Sequence, residues 1–232
     1  MALAALYVKT SLKKDKIGKP QKVNTSINIL WGYAASLGYQ VEEIYHDVSK
    51  AGISRAERNR LIAECEQYNA LFLTCAFHLN RTTRQFFSIS NELEDKGLEI
   101  HTMDHGVISV TDNIPTLESL KVATYYCHLS MTDSVHDYTG IQNEVFQMYI
   151  RKETSWTVID QYIDRLDQRK VTEQYELEKM IANKDKYDII LVSDFGNLSW
   201  DTSRFFNARE QLGKDIYSLE EGLLPFRKGI IV

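Results

Sequence analysis

Five lysines in ten residues, Lys13, Lys14, Lys16, Lys19 and Lys22, follow the apolar run Leu3 to Val8 and its polar end Lys9-Thr10-Ser11. Ammonium groups clustered this way can neutralise phosphates along a nucleic-acid backbone, and the same composition also makes a solvated surface loop. His101 and His105, with Asp104 between them, offer donors to a metal. Along a strand, however, residues four apart stand about 13 Å from each other, so these two could chelate only if the chain turns. Cys65, Cys75 and Cys127 are an odd number without C-x-x-C spacing. They read as small apolar side chains in a reducing cytoplasm. No glycine-rich dinucleotide fingerprint follows the first strand and no P-loop pattern occurs, so no cofactor is expected. Open α/β sheets place their chemistry at the carboxyl ends of strands, which draws attention to the segment Tyr7 to Ser11.

The elements that position these residues are written twice. Ala5-Leu6-Tyr7-Val8-Lys9-Thr10-Ser11 opens one copy and Thr124-Tyr125-Tyr126-Cys127-His128-Leu129-Ser130 opens the other. Leu79, Thr83, Phe86 and Phe87 recur at the same spacing as Leu198, Thr202, Phe205 and Phe206, and each copy closes on a strand and a glycine, Gly106 and Gly222. Strands are expected near 3–8, 39–45, 70–76 and 98–103, then near 122–127, 157–162, 188–193 and 215–219. Helices are expected over 25–37, 56–68 and 82–96, with Gly38 and Gly97 as stops. This alternation predicts an α/β chain of two tandem three-layer domains, each a mostly parallel sheet of about four strands with helices on both faces. The domains are placed at 1–110 and 122–232 with a linker over 111–121, and the tail from Leu223 offers an added edge strand. At 232 residues and 44% hydrophobic content the chain can build two such cores, and no apolar stretch approaches a membrane span,. Residues 1–110 carry 13 Lys/Arg against 12 Asp/Glu, and residues 111–232 carry 14 against 20. The acidic second half is a poor surface for phosphates.

The first copy resembles the catalytic domain of the resolvase/invertase family, the serine site-specific recombinases. That family's pattern is a first strand ending Tyr-x-Arg-Val-Ser-Thr, a second strand near Asp and Ser-Gly, a helix opening Arg-Pro, and a third strand running into Leu-Asp-Arg-Leu-x-Arg. This chain has Tyr7-Val8-Lys9-Thr10-Ser11, Ile44-Tyr45-His46-Asp47 with Gly52, Arg58-Asn59-Arg60-Leu61, and Ala76-Phe77-His78-Leu79-Asn80-Arg81 in that order. Met103-Asp104-His105-Gly106 fits the end of the fourth strand. The resemblance implies that Ser11 attacks a DNA phosphodiester to form a 5′-phosphoserine link and a free 3′-hydroxyl. Lys9, Arg58, Arg81 and His78 would surround the phosphate, and Lys13, Lys14, Lys16 and Lys19 would lie in a loop beside the bound DNA. Guanidinium forks suit the spread negative charge of that transition state better than a point charge does.

The departures imply weakened or lost catalysis. Lys9 stands where the family has arginine, and Phe77-His78 replaces its Asp-Arg pair. Each missing preorganised charge typically costs about 3 kcal/mol in the barrier. In the second copy Ser130 aligns with Ser11, but His128, Asn197 and Trp200 fall at the Lys9, His78 and Arg81 positions, and Gln174 is the nearest match to Arg58. That copy reads as non-catalytic. Nor does a long dimerisation helix or a recognition helix follow Gly106. Three readings stay open: a divergent strand-cleaving recombinase, a non-catalytic interaction module that docks onto a partner, and an enzyme acting on a small phosphorylated substrate. The expected partners are DNA through the first domain and a recombinase or other protein, with no membrane. The expected assembly is an intramolecular pseudo-dimer or a homo-oligomer, in the cytoplasm.

Overall fold

The computed structural model describes residues 2–11, 23–49, 55–111, 119–130, 144–150, 156–167 and 174–227. They form two α/β units, one made chiefly of Met1–Arg81 and Gln85–Ser109 and the other chiefly of Val110–Phe226.

In the first unit, β1 (Ala2–Ser11), β2 (Tyr39–Ser49), β3 (Ala70–Leu73), β4 (Glu99–Thr102) and β5 (Gly106–Ile108) form one sheet in the order β2-β1-β3-β4-β5. All its pairings are parallel except that of β4 with β5. The helices are α1 (Val23–Ser36), α2 (Ala56–Glu64) and α3 (Thr83–Asp95). The central strands are apolar on both sides because helices cover both faces: every residue of β3 is buried, as are Ala4 to Val8 of β1,. Leu30, Tyr33 and Ala34 of α1 pack on Leu6, Val8 and Phe72. Strand alternation sends Tyr7 the other way, toward α2. The β1–β2 register slips between Ala4 and Ala5, so Glu42 is an extra residue. This bulge leaves both Val41 and Ile44 against the α1 core and turns Tyr45 and Asp47 to the α2 side,.

In the second unit, β6 (Leu120–Ser130), β7 (Trp156–Asp167), β8 (Ile189–Val192), β9 (Asp215–Ser218) and β10 (Gly222–Leu224) take the order β10-β9-β8-β6-β7. Its helices are α4 (residues 144–150), α5 (Tyr175–Ala182), the single turn α6 (Phe195–Leu198) and α7 (Thr202–Leu212). The β6–β7 register slips at the equivalent place, between Val122 and Ala123, leaving Ile159 extra.

The sheets therefore have five strands each rather than four. Gly106 and Gly222, expected to close their copies, instead open β5 and β10, with φ of 69° and 102°. These left-handed values let the chain double back into an antiparallel edge strand. Two expected elements are shorter. β3 stops at Leu73 because Ala76–His78 winds into a 3-10 turn, and α2 gives way at Cys65 to another such turn. Gly38 and Gly97, both at φ 84°, do end α1 and α3. Among the described residues no helix is long and apolar enough to cross a membrane.

Candidate functional site

Asp47 organises the carboxyl end of the first sheet. It is 2% exposed, and its oxygens accept from the Tyr7 hydroxyl (2.9 Å), the Glu57 amide (3.2 Å) and the Arg58 amide (3.1 Å). The residue preceding α2, Arg55, makes no side-chain cap, so a carboxylate from the neighbouring strand satisfies the first-turn N–H groups instead,. Burial and the facing Asp47 carboxylate push the Tyr7 phenol well above its usual pKa, so it stays a donor.

Four cations gather at this end. The Lys9 ammonium is held below the ordinary lysine range, first by burial and then by the charges of Arg55, Arg81 and Arg58, with Asp47 opposing. Arg58 is lowered in the same way by burial and Arg55. The Arg58 guanidinium donates to the Leu79 carbonyl (3.4 Å) and to Asn59 Oδ1 (3.0 and 3.3 Å), which ties α2 to the segment after β3. Arg60, two residues on, is engaged elsewhere, with Glu43, Glu57 and Glu64. A concentration of positive charge around a carboxylate that is already capped by three donors suits an anion.

His78 shares this end without adding charge. Its Nδ1 lies 2.7 Å from the Thr74 hydroxyl and its Nε2 3.5 Å from Cys75 Sγ. Burial first, and Lys9 second, push the imidazole down to about 4, so it is neutral at physiological pH. Burial also pushes the Cys75 thiol up to about 12, away from thiolate chemistry,. Ser11 is the last residue of β1, paired with Ser49 two positions past the Lys9–Asp47 pair. The Ser11 side chain and all of Lys13, Lys14, Lys16, Lys19 and Lys22 lie outside the described residues.

The second unit repeats the scaffold and lacks the charge. Asp164 accepts from the Tyr125 hydroxyl (2.9 Å), the Glu176 amide (3.0 Å) and the Leu177 amide (3.1 Å). These bonds match those of Asp47 one for one and correct the alignment of the copies. Tyr125 rather than Tyr126 is the counterpart of Tyr7, and the equal placing of the two bulges agrees. Lys9 therefore corresponds to Cys127 and Ser11 to Leu129, not to His128 and Ser130. Arg58 corresponds to Leu177, and Gln174 corresponds to Arg55. Gln174 still donates to the Leu198 carbonyl (2.9 Å), the acceptor equivalent to the one Arg58 uses, which is why it resembled Arg58. With Trp200 at the Arg81 position, none of the four cations survives.

The family model for the resolvase N-terminal domain matches residues 4–120. The chain belongs to the resolvase family. No curated protein matches it. Solved structures align with parts of it. The N-terminal catalytic domain of TP901-1 integrase is 18% identical, with 45% of this chain and 78% of that one covered and a TM-score of 0.38. The C-terminal catalytic domain of ISC1926 TnpA, an IS607-like serine recombinase, is 23% identical over 43% and 69%, with a TM-score of 0.37. A resolvase family site-specific recombinase from Streptococcus pneumoniae is 14% identical over 66% and 93%, with a TM-score of 0.40.

Against the resolvase pattern, the structure brings Lys9, Arg58, Arg81 and His78 to one strand end and adds Arg55, which the sequence reading passed over. The signal for Arg55 was present. The family's helix opens on an arginine, and Arg55 immediately precedes α2, whereas Arg58 sits almost a turn inside it. The histidines resolve separately. The chain does turn between His101 and His105, but His101 Nε2 bonds Glu99 (2.7 Å) while its ring stacks on Phe72 (centroids 4.6 Å apart). His105 lies 3.3 Å from Asp104, and among the described residues no group of three or more donors could hold a metal.

Proposed function

We propose that this chain is a divergent protein of the serine recombinase type. Its first unit holds the phosphate backbone of DNA at the carboxyl end of β1, and its strand-cleaving chemistry is weak or lost. The observation that carries the reading is the convergence of Lys9, Arg55, Arg58 and Arg81 around one capped carboxylate in the first unit, with no counterpart in the second. In this reading Ser11 is the nucleophile position. The erosion has two physical sources. Lys9 gives a point charge where a guanidinium fork would bridge two phosphate oxygens. Neutral His78 supplies no charge where the family has arginine,.

The second unit keeps the scaffold as a non-catalytic module that docks onto a partner protein. Its loss of every cation in the set, within the acidic half of the chain, favours that role,.

The test is fluorescence anisotropy of a labelled random-sequence duplex across a salt series, followed by denaturing electrophoresis for a covalent adduct. Affinity is expected to fall by about 0.9 log units per phosphate contact for each tenfold rise in salt. The slope should flatten in a Lys9→Gln/Arg81→Gln variant, and no adduct should form. An adduct that vanishes in Ser11→Ala would instead make the protein an active recombinase. No binding of the duplex at low salt would remove the reading in which this site holds duplex DNA.

A further inference from the structure

Phe77 is an unusual neighbour for this cationic end. It sits in the 3-10 turn directly after β3, and its ring is 38% exposed although it is among the larger apolar side chains of the unit. Isolated exposed phenylalanines are common and need no explanation. This one is fixed in place. Its ring stands edge-on to His78, with centroids 4.7 Å apart at 71°. His78 is in turn held by the Thr74 hydroxyl and Cys75, and Lys9 is near enough to perturb it. The outcome is an oriented, solvent-facing aromatic ring packed against His78, the residue that the Lys9 charge reaches. His78 is uncharged and apolar enough to support that ring, whereas a charged side chain there would draw water around it.

Cations that track phosphates, combined with a rigid aromatic face, form the recognition set for an unstacked base on a flexible strand. In a duplex the bases are stacked on each other and cannot reach such a ring without an unstacking cost. Resting on the phosphate-binding role proposed above, we propose that the site takes single-stranded nucleic acid in preference to duplex. Lys9, Arg55 and Arg81 would grip the backbone and Phe77 would stack on one base.

The experiment uses the full chain with a labelled random-sequence single strand of about 20 nucleotides, compared with a duplex of the same sequence over the same salt series. The single strand is expected to bind more tightly. Phe77→Ala should weaken its binding by about five- to a hundredfold while leaving the salt slope unchanged, since stacking releases no counterions. Phe77→Tyr, which keeps the ring, should bind as the parent does, and circular dichroism checks that both variants are folded. Equal affinity of Phe77→Ala and the parent for the single strand would overturn the proposal. So would duplex binding as tight as single-strand binding, though a slope that flattened in Lys9→Gln/Arg81→Gln would leave the phosphate-binding role standing. Failure to bind either polymer would remove both.

Discussion

Asp47 and Asp164 commit their carboxylate oxygens to the same three donors in their own units, so each is a test of the other. Replacing either by asparagine turns an NH2 group toward N–H donors in a buried site, at a cost of about 1–3 kcal/mol. We expect Asp47→Asn and Asp164→Asn to lower stability comparably in urea unfolding, and only Asp47→Asn to alter DNA binding. His78 gives a second prediction, in pH. Its unfolded imidazole takes up a proton near pH 6.5 and its folded one near 4. Between those values the unfolded chain holds more protons, so this group's contribution is full above pH 6.5 and falls away as the pH drops toward 4. Because the side chain is only half buried, we discount the effect to about 1–2 kcal/mol. His78→Asn, which copies Asn197 of the second unit, should lose less stability than the parent between pH 7 and pH 4.5. An unchanged difference in urea midpoints over that range would contradict this. At this scale the residue types were legible and the pairing was not. Tyr125-Tyr126 offers two tyrosines, and matching Ser130 to Ser11 selects the wrong one. The hydrogen bond to Asp164 and the place of the bulge select Tyr125.

Elements were more readable where a single residue dictates the backbone. Gly38 and Gly97 stop helices as their sequence positions imply, because both require positive φ. Gly106 and Gly222 carry the same signal, but a glycine after a strand does not reveal whether the chain then leaves the sheet or folds back along it. That ambiguity hid β5, whereas the edge strand expected in the tail from Leu223 is met at its start by β10. The bulges at Glu42 and Ile159 were equally hidden, because one extra residue reverses the inward and outward alternation of an edge strand without changing its composition,. Backbone chemistry makes a paired prediction here. Gly222→Ala forces a side chain into φ 102° and should cost about 1–2 kcal/mol,. Gly32 lies inside α1 with open space where a Cβ would go, so Gly32→Ala should add about 0.5–1 kcal/mol,. Urea midpoints moving in opposite directions would confirm both. A gain from Gly222→Ala would mean that β10 does not need this turn.

At the scale of the whole molecule, one scaffold is used twice with different charge. Each unit has a five-stranded sheet, a strand-borne aspartate at the start of a helix and a buried tyrosine pair, Tyr45–Tyr68 with centroids 6.2 Å apart and Tyr162–Tyr187 at 6.1 Å. Function therefore cannot be read from the scaffold, and among the described residues the difference in charge at this strand end lies at Lys9, Arg55, Arg58 and Arg81 against Cys127, Gln174, Leu177 and Trp200. If those cations hold nucleic acid, replacing all four by glutamine should reduce affinity at low salt by at least about tenfold and remove about three to four units from the salt slope. Changing Cys127 and Trp200 to alanine should leave both quantities as they were. Trp200 is the sharper control because it is 48% exposed and could itself stack on a base. If Trp200→Ala weakened binding as much as the four-residue change did, the second unit would contact nucleic acid directly, and charge would not be what distinguishes the two units.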